Sequence, residues 1–241
     1  MKTGVVVFPG SNCDEDIVCV LRNILRQDVV KLWHKEHDLQ DCDLIILPGG
    51  FSYGDYLRSG AIARFSPIMK EVMAFAAKGG IVFGVCNGFQ ILCEAGLLPG
   101  ALLHNLHHQF VCKNIFIRAE NNDSIMTAAI KKDRALKIPI AHGEGNFYAD
   151  DETMKRLNDN GQILFRYCDE KGNIIPQANP TGTKDNIAGI CNKTKNVFGM
   201  MPHPERAADP VLGNTDGRMI LESFYNHDAH NFFPLMVDSF F

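Results

Sequence analysis

The chain has 241 residues, which is enough for one large α/β domain or two small ones. Its 46% hydrophobic and 22% charged residues are ordinary for a globular protein, and a net charge of −4 without a basic stripe argues against a nucleic-acid partner. No apolar run reaches the about 18 residues of a membrane span, and the run near Met1 is too short for a signal peptide, so we expect a cytoplasmic protein that does not bind membranes.

The eight cysteines show no Cys-x-x-Cys spacing, and the pattern therefore predicts neither a zinc site nor a redox motif. They are scattered through apolar segments, as reduced thiols of a cytoplasmic core would be. Gly10 is not part of a Gly-x-Gly-x-x-Gly sequence, and no phosphate-binding loop is present. We therefore expect no cofactor in this chain.

The first fifty residues read as strand, helix, strand and strand. An apolar run at 4–8 ends in a Pro-Gly turn, and a helix is predicted over 15–26 with Asn12 or Asp14 as its cap. Residues 28–33 and 44–47 are the next two strands. This order favours a parallel sheet with helical crossovers.

The sequence Pro48-Gly49-Gly50 follows the third strand. Paired glycines at the carboxyl end of a strand let the backbone approach a ligand, and ligands of open α/β sheets bind beyond those ends. A plain turn is the simpler interpretation. We nevertheless favour the ligand loop, because the strand that we expect beside this one ends at Cys86, a candidate nucleophile.

That cysteine follows a predicted helix over 64–77 and a buried strand over 81–85. Cys86 precedes Asn87, Gly88 and a helix over 89–95, so Gly-x-Cys-x-Gly predicts a nucleophile elbow with sulfur in place of serine. The helix N-terminus would favour the thiolate. Gln90 lies one turn later, either facing the site or serving as an ordinary first-turn glutamine. The alternative for Cys86 is a buried core thiol.

The middle of the chain contains a loose histidine group, His104, His107 and His108, for which a solvated turn is favoured over a metal site. Strands are predicted over 110–118, 161–167 and 186–191, the first of them antiparallel. No linker or repeat interrupts this part, so one domain over 1–241 is predicted.

A third motif, His203-Pro204-Glu205, follows an apolar strand. Because the prolines keep the segment extended, the two side chains should point the same way, with the carboxylate holding the imidazole. A helix over 216–225 and an apolar tail over 228–241 end the chain, and we expect the tail to pack on the domain.

A cysteine nucleophile, a histidine base and an orienting glutamate suit acyl transfer through a thioester. The backbone N–H groups of Gly50 and Asn87 are the candidate oxyanion hole. Two alternatives stay open. One is another cysteine enzyme, such as a peptidase or γ-glutamyl hydrolase, and the other is a flavodoxin-like binding module in which Cys86 is merely buried.

The three motifs, in this order and spacing, resemble those of class I (triad) glutamine amidotransferases over essentially the whole chain. Three further stretches are similar to the glutaminase subunits of phosphoribosylformylglycinamidine synthases of purine biosynthesis, namely residues 8–14, 51–61 and 141–145. The resemblance implies a flavodoxin-like α/β domain, with an open, mostly parallel sheet, helices on both faces and a small antiparallel portion.

The resemblance also implies a division of labour. Cys86 would attack the carboxamide of L-glutamine, His203 and Glu205 would move the proton, and Phe51 and Gln90 are candidates for substrate contact. Ammonia would pass to a separate synthetase subunit that holds ATP and Mg²⁺, with a small third subunit bridging the two.

Overall fold

The computed structural model describes residues 1–131 and 134–226, so the predicted tail over 228–241 lies outside the described residues. The single domain over the full 1–241 stays a prediction. The strands and helices, in chain order, are β1 (Lys2–Val7), α1 (Asp14–Cys19), β2 (Asp28–Trp33), β3 (Leu44–Leu47), α2 (Pro67–Ala77), β4 (Ile81–Val85), α3 (Asn87–Glu94), β5 (Ala101–Leu103), β6 (Val111–Ala119), β7 (Leu136–His142), β8 (Asn146–Tyr148), α4 (Asp151–Asp159), β9 (Ile163–Cys168), β10 (Ile187–Cys191), β11 (Val197–Met200) and α5 (Asp216–Ser223).

Within the described ranges, one sheet runs in the order β2-β1-β3-β4-β11-β10-β9-β6-β7, and β5 pairs with β8 apart from it. Along this order, the first five strands, β2, β1, β3, β4 and β11, pair in parallel. From β11 to β7 each pair of neighbouring strands is antiparallel. The predicted α/β class is confirmed. The antiparallel part is more extensive than the sequence suggests, because β7, β5 and β8 carry short or interrupted apolar patterns.

Helices cover both faces of the sheet, as predicted. Adjacent residues of β4 point to opposite faces. Phe83 packs against Phe224, just after α5, with ring centroids 5.2 Å apart. Gly84 faces the other way, where a Cβ atom would lie 2.6 Å from the side chain of Leu92 in α3. The strand that leads into the elbow is therefore packed against helical segments on both faces of the sheet.

The central strands β3 and β4 are buried along their whole length. Their continuous apolar runs are the pattern expected of parallel strands that are covered on both faces. β3 and β4 are also hydrogen-bonded neighbours, as the ligand-loop interpretation required. None of the helices in the described ranges is both long enough and apolar enough to cross a membrane.

Two predicted helices differ in detail. The helix expected over 15–26 is an α-helix only to Cys19, and a π-helical segment, Val20–Ile24, continues it. Its N-cap is Cys13 and has no side-chain cap, so neither proposed cap forms. The helix expected from residue 64 begins instead at Pro67, because proline is well suited to the first helical turn and holds Ser66 extended.

Candidate active site

Cys86 lies in the turn between β4 and α3, at φ 50° and ψ −106°. An L-residue rarely adopts this region, so the surrounding structure must hold it there. The N–H of Cys86 donates to the carbonyl of Met200 on β11 at 2.8 Å, and the Cys86 carbonyl accepts the first helical hydrogen bond from Gln90 at 3.1 Å. The predicted strand–elbow–helix geometry is therefore present, with the thiol at the N-terminus of α3.

Gly88 lets the first turn of α3 approach β3. A Cβ atom at position 88 would lie 1.9 Å from the carbonyl oxygen of Leu47, and one at Gly84 would lie 2.6 Å from the Gly88 carbonyl carbon. Both contacts are with backbone, which cannot give way as a flexible side chain can. The elbow thus depends on two glycines for close packing, whereas the strained φ belongs to Cys86 itself.

Replacing Gly88 by alanine should lower the stability of the fold by about 3 kcal/mol or more, since overpacking at this contact must displace α3 from the sheet. Gly96→Ala is the matched control, because a Cβ there meets nothing within 4 Å and only its φ of +72° is unfavourable. Urea denaturation of both variants measures the difference. Equal stabilities would mean that the approach of α3 to β3 does not require glycine.

His203 and Glu205 come together as predicted, although not by the predicted backbone geometry. The Nδ1 atom of His203 is 2.6 Å from Oε1 of Glu205, and both side chains are almost fully buried. Pro204–Ala207 forms a 3-10 turn, so the expectation of an extended segment is wrong. Proline fits the first position of such a turn, and the short turn still brings residues 203 and 205 to the same side.

The electrostatics of His203 are set by burial and by two neighbours. Burial acts to lower the pKa of His203, but the Glu205 carboxylate and the Cys86 sulfur outweigh it and raise that pKa well above its ordinary value. The Nε2 atom is buried and lies outside hydrogen-bonding geometry with any described residue. Cys86 is nevertheless close enough to act on the imidazole. The arrangement favours an imidazolium beside the thiol.

The glycine loop lies against this histidine. A Cβ atom on Gly49 would lie 2.7 Å from Cε1 of His203, so a larger residue would push the ring away. Gly50 has φ +139°, and a Cβ there would lie 2.8 Å from the backbone nitrogen of Asn12. Gly50 lines a cavity together with Cys86. Asn87 begins α3, so its N–H has no acceptor inside the helix.

The side chains of Asn87 and Gln90 bind the protein itself. Asn87 accepts from the N–H of Ser52 at 3.2 Å and donates to Asp55 at 3.3 Å and to Gln90 at 3.0 Å. Gln90 donates to the carbonyl of Glu144 at 2.6 Å. These bonds tie the glycine loop and the end of β7 to the elbow. Gln90 still lines the cavity, but its amide is already occupied on both sides.

The cavity beside Cys86 has a volume of about 200 Å³. Phe51 forms part of its wall and is 44% exposed, with its ring centroid 6.4 Å from that of Phe110. The structure therefore places four of the predicted residues at this cavity, Gly50, Phe51, Cys86 and Gln90. The remaining lining residues are Asp55, Ser59, His104, His108, Gln109, Phe110, Ala141, His142, Gly143 and Glu144.

The loose histidine group is divided by the structure. His104 and His108 line the cavity with ring centroids 5.5 Å apart, and His104 Nδ1 is 3.4 Å from Glu144 Oε1. All three histidines are exposed in or beside a turn, as expected, and two of them also line the cavity. No three His, Cys, Asp or Glu side chains of the described ranges are arranged to hold a metal ion. The glycine-flanked pair His142 and Glu144 is the feature of the sequence that could have indicated this side of the cavity.

A profile of the CobB/CobQ-like glutamine amidotransferase domain matches residues 1–231. The chain is 55% identical to the phosphoribosylformylglycinamidine synthase subunit PurQ of Acaryochloris marina, over 94% of this chain and 96% of that protein. It is 56% identical to the PurQ subunit of Koribacter versatilis, over 92% and 96%. The solved structure of PurLQS from Thermotoga maritima contains a chain of the same fold, with 41% identity, a TM-score of 0.83 and coverage of 94% of this chain and 98% of that one.

Proposed function

Since the chain belongs to the CobB/CobQ-like glutamine amidotransferases, and among them to the PurQ subunits of phosphoribosylformylglycinamidine synthase, we propose that it hydrolyses glutamine and delivers ammonia to a synthetase subunit. The ammonia serves the conversion of formylglycinamide ribonucleotide to the amidine in purine synthesis. The observation that best supports this chemistry is the thiol held at a strained elbow beside a buried His203–Glu205 pair.

Before glutamine is attacked, the thiol proton of Cys86 resides on His203, where the Glu205 carboxylate stabilises the imidazolium. The thiolate attacks the carboxamide carbon of glutamine, and the carbonyl oxygen becomes an oxyanion. The N–H groups of Gly50 and Asn87 receive that oxyanion. His203 then returns the proton to the departing nitrogen, so ammonia leaves and a glutamyl thioester remains on Cys86.

Water completes the cycle. His203 takes a proton from the water as it attacks the thioester, and the carbon–sulfur bond breaks to release glutamate and the thiol. Phe51 contributes to the wall that encloses the substrate chain. Gln90 acts mainly through the segments that its amide connects, Asn87 and Glu144.

The partner assignments follow from the relatives. PurLQS of Thermotoga maritima is an assembly, and we assign this chain a synthetase partner and a small bridging subunit on that likeness. ATP and Mg²⁺ act on the synthetase, and this chain uses no cofactor of its own. The eight cysteines, all within the described ranges, are free thiols, which supports a reducing, cytoplasmic location.

Brief exposure to an electrophilic glutamine analogue should produce one adduct, on Cys86, and excess glutamine should prevent it. Peptide mapping by mass spectrometry identifies the labelled thiol, and the exposed Cys112 serves as the internal control because it lies outside the cavity. The experiment is run on the chain alone and with its synthetase subunits. Labelling of Cys112 instead, or labelling of Cys86 that glutamine does not block in the complex, would contradict the proposal.

A further inference from the structure

Two carboxylates face the cavity that contains Cys86, and no residue of the established triad pattern accounts for them. Asp55 follows the glycine loop, and Glu144 follows β7, so they approach from different segments of the chain. Both are partly buried. The Asp55 side chain accepts from Asn87 at 3.3 Å, and Glu144 Oε2 accepts from the N–H of Ser59 at 3.2 Å. The structure thus holds each carboxylate in place on neutral donors.

Arg58 attracts Glu144 electrostatically, but its guanidinium group is hydrogen-bonded to Glu94 at 2.8 Å and not to either carboxylate of this pair. No lysine or arginine is among the cavity-lining residues of the described ranges, and the charge-capable neighbour of Glu144 there is His104, at 3.4 Å. Burial, and to a lesser extent the charge of Glu144, raises the pKa of Asp55 to about 6. Two neighbouring carboxylates that no lysine or arginine of the described ranges bonds directly suit a ligand that brings its own positive charge.

A second observation also indicates a polar ligand. His142 lines the same cavity, is 3% exposed, and makes no hydrogen bond through either ring nitrogen within the described ranges. Burial, with a smaller effect of His203, lowers the pKa of His142 to about 3, so its imidazole stays neutral. Buried polar atoms normally have partners in the protein or in bound molecules. A buried imidazole whose nitrogens have no partner among the described residues thus lies in the same wall of the cavity as the two carboxylates.

The positions of the two carboxylates in the cavity suit an amino-acid substrate. Asp55 accepts a hydrogen bond from Asn87, the residue next to the nucleophile. Glu144 lies three residues after Ala141, whose carbonyl oxygen is 3.9 Å from the Cys86 sulfur. In glutamine, three carbon–carbon bonds of about 1.5 Å separate the carboxamide carbon from the α-carbon. A carboxamide placed at Cys86 thus leaves the α-ammonium group a few bond lengths away, inside the cavity that both carboxylates line.

We infer that Asp55 and Glu144 form the subsite for the α-ammonium group of glutamine, and that they select an α-amino acid over other carboxamides. This inference rests on the proposed function. The charge-assisted hydrogen bonds would replace the water around the ammonium group and would neutralise the repulsion between the two carboxylates. The residues that recognise the free amino acid, Asp55 and Glu144, then lie outside the three motifs that contain the triad.

The test compares glutamine with glutaramate, 5-amino-5-oxopentanoate, which keeps the carboxamide and the carboxylate and lacks only the α-ammonium group. Hydrolysis of both is measured in the complex with the synthetase subunits, for the unmodified chain and for Glu144→Gln and Asp55→Asn. Each variant should lower the ratio of kcat/KM for glutamine to that for glutaramate by about ten- to hundredfold, the usual worth of a hydrogen bond to a charged group. Glu152→Gln, an exposed carboxylate on α4 paired with Arg156, is the matched control and should leave the ratio unchanged.

A structural role would slow both substrates equally, and an unchanged ratio in both variants would overturn the subsite. Calorimetric binding of the two compounds to the Cys86→Ala complex provides a second measure that does not require turnover. Glutamine should bind more tightly than glutaramate there, and Glu144→Gln should remove that preference. If the unmodified complex hydrolyses both compounds equally well, the subsite alone is wrong. If it neither binds nor hydrolyses glutamine, the proposed function fails as well.

Discussion

Replacing Cys86 by serine should abolish glutamine hydrolysis, with a loss of at least about 10⁴-fold in kcat, as seen when a nucleophile is removed from a catalytic triad. A serine hydroxyl gives up its proton far less readily than a thiol, and the imidazolium favoured by Glu205 suits a thiolate rather than a neutral hydroxyl. Release of glutamate by the complex is the measurement. The fold should persist, since oxygen for sulfur changes the volume little at a residue whose backbone bonds do not involve the side chain.

Cys112→Ser is the control, because Cys112 is exposed on β6 and lies outside the cavity. The Cys86→Ser complex should still form the amidine when ammonium salt replaces glutamine, because the synthetase reaction does not use the thiol. That result separates loss of the glutaminase step from loss of assembly. Substantial glutamine-dependent activity in Cys86→Ser would rule out Cys86 as the nucleophile.

The sequence predicted the parallel half of the fold well because buried strands such as β3 and β4 read as unbroken apolar runs that end in glycine turns. The elbow could be predicted for the same reason, since its strand, cysteine and helix are contiguous. The helix boundaries near residues 64–67 were less accurate, because the choice between an extended Ser66 and a continuous helix depends on local packing.

The sequence could not predict which residues line the cavity together. Asp55 and Glu144 are 89 positions apart in the numbering, and the antiparallel strands that carry Glu144 to the site have interrupted apolar patterns. Gln90 illustrates the opposite problem. Its position one turn after Cys86 made it a candidate for substrate contact, but the structure shows both ends of its amide bonded to the protein. Hydrogen-bond partners depend on tertiary contacts that spacing along the chain does not show.

Replacing Glu205 by glutamine should lower kcat for glutamine hydrolysis by about 10²- to 10⁴-fold, as changes of the orienting carboxylate do in other triads. A glutamine oxygen can still accept from Nδ1 of His203, so the ring keeps its place while the negative charge is lost. Without that charge, only the Cys86 sulfur opposes the effect of burial, and the pKa of His203 falls. The imidazolium then persists over a narrower pH range and stabilises the thiolate of Cys86 less.

The pH dependence of Cys86 labelling provides the sharper measurement. In the unmodified chain the raised pKa of His203 keeps its imidazolium present through neutral pH, beside the Cys86 sulfur. In Glu205→Gln, labelling by the electrophilic glutamine analogue should be slow at neutral pH and should recover as the pH rises, when hydroxide can remove the thiol proton. Glu222→Gln on α5 is the control, since that carboxylate is paired with Arg218 on the surface and should leave the profile unchanged. If Glu205→Gln lowered kcat but left the labelling profile of Cys86 unaltered, Glu205 would act on the fold rather than on the charge of His203.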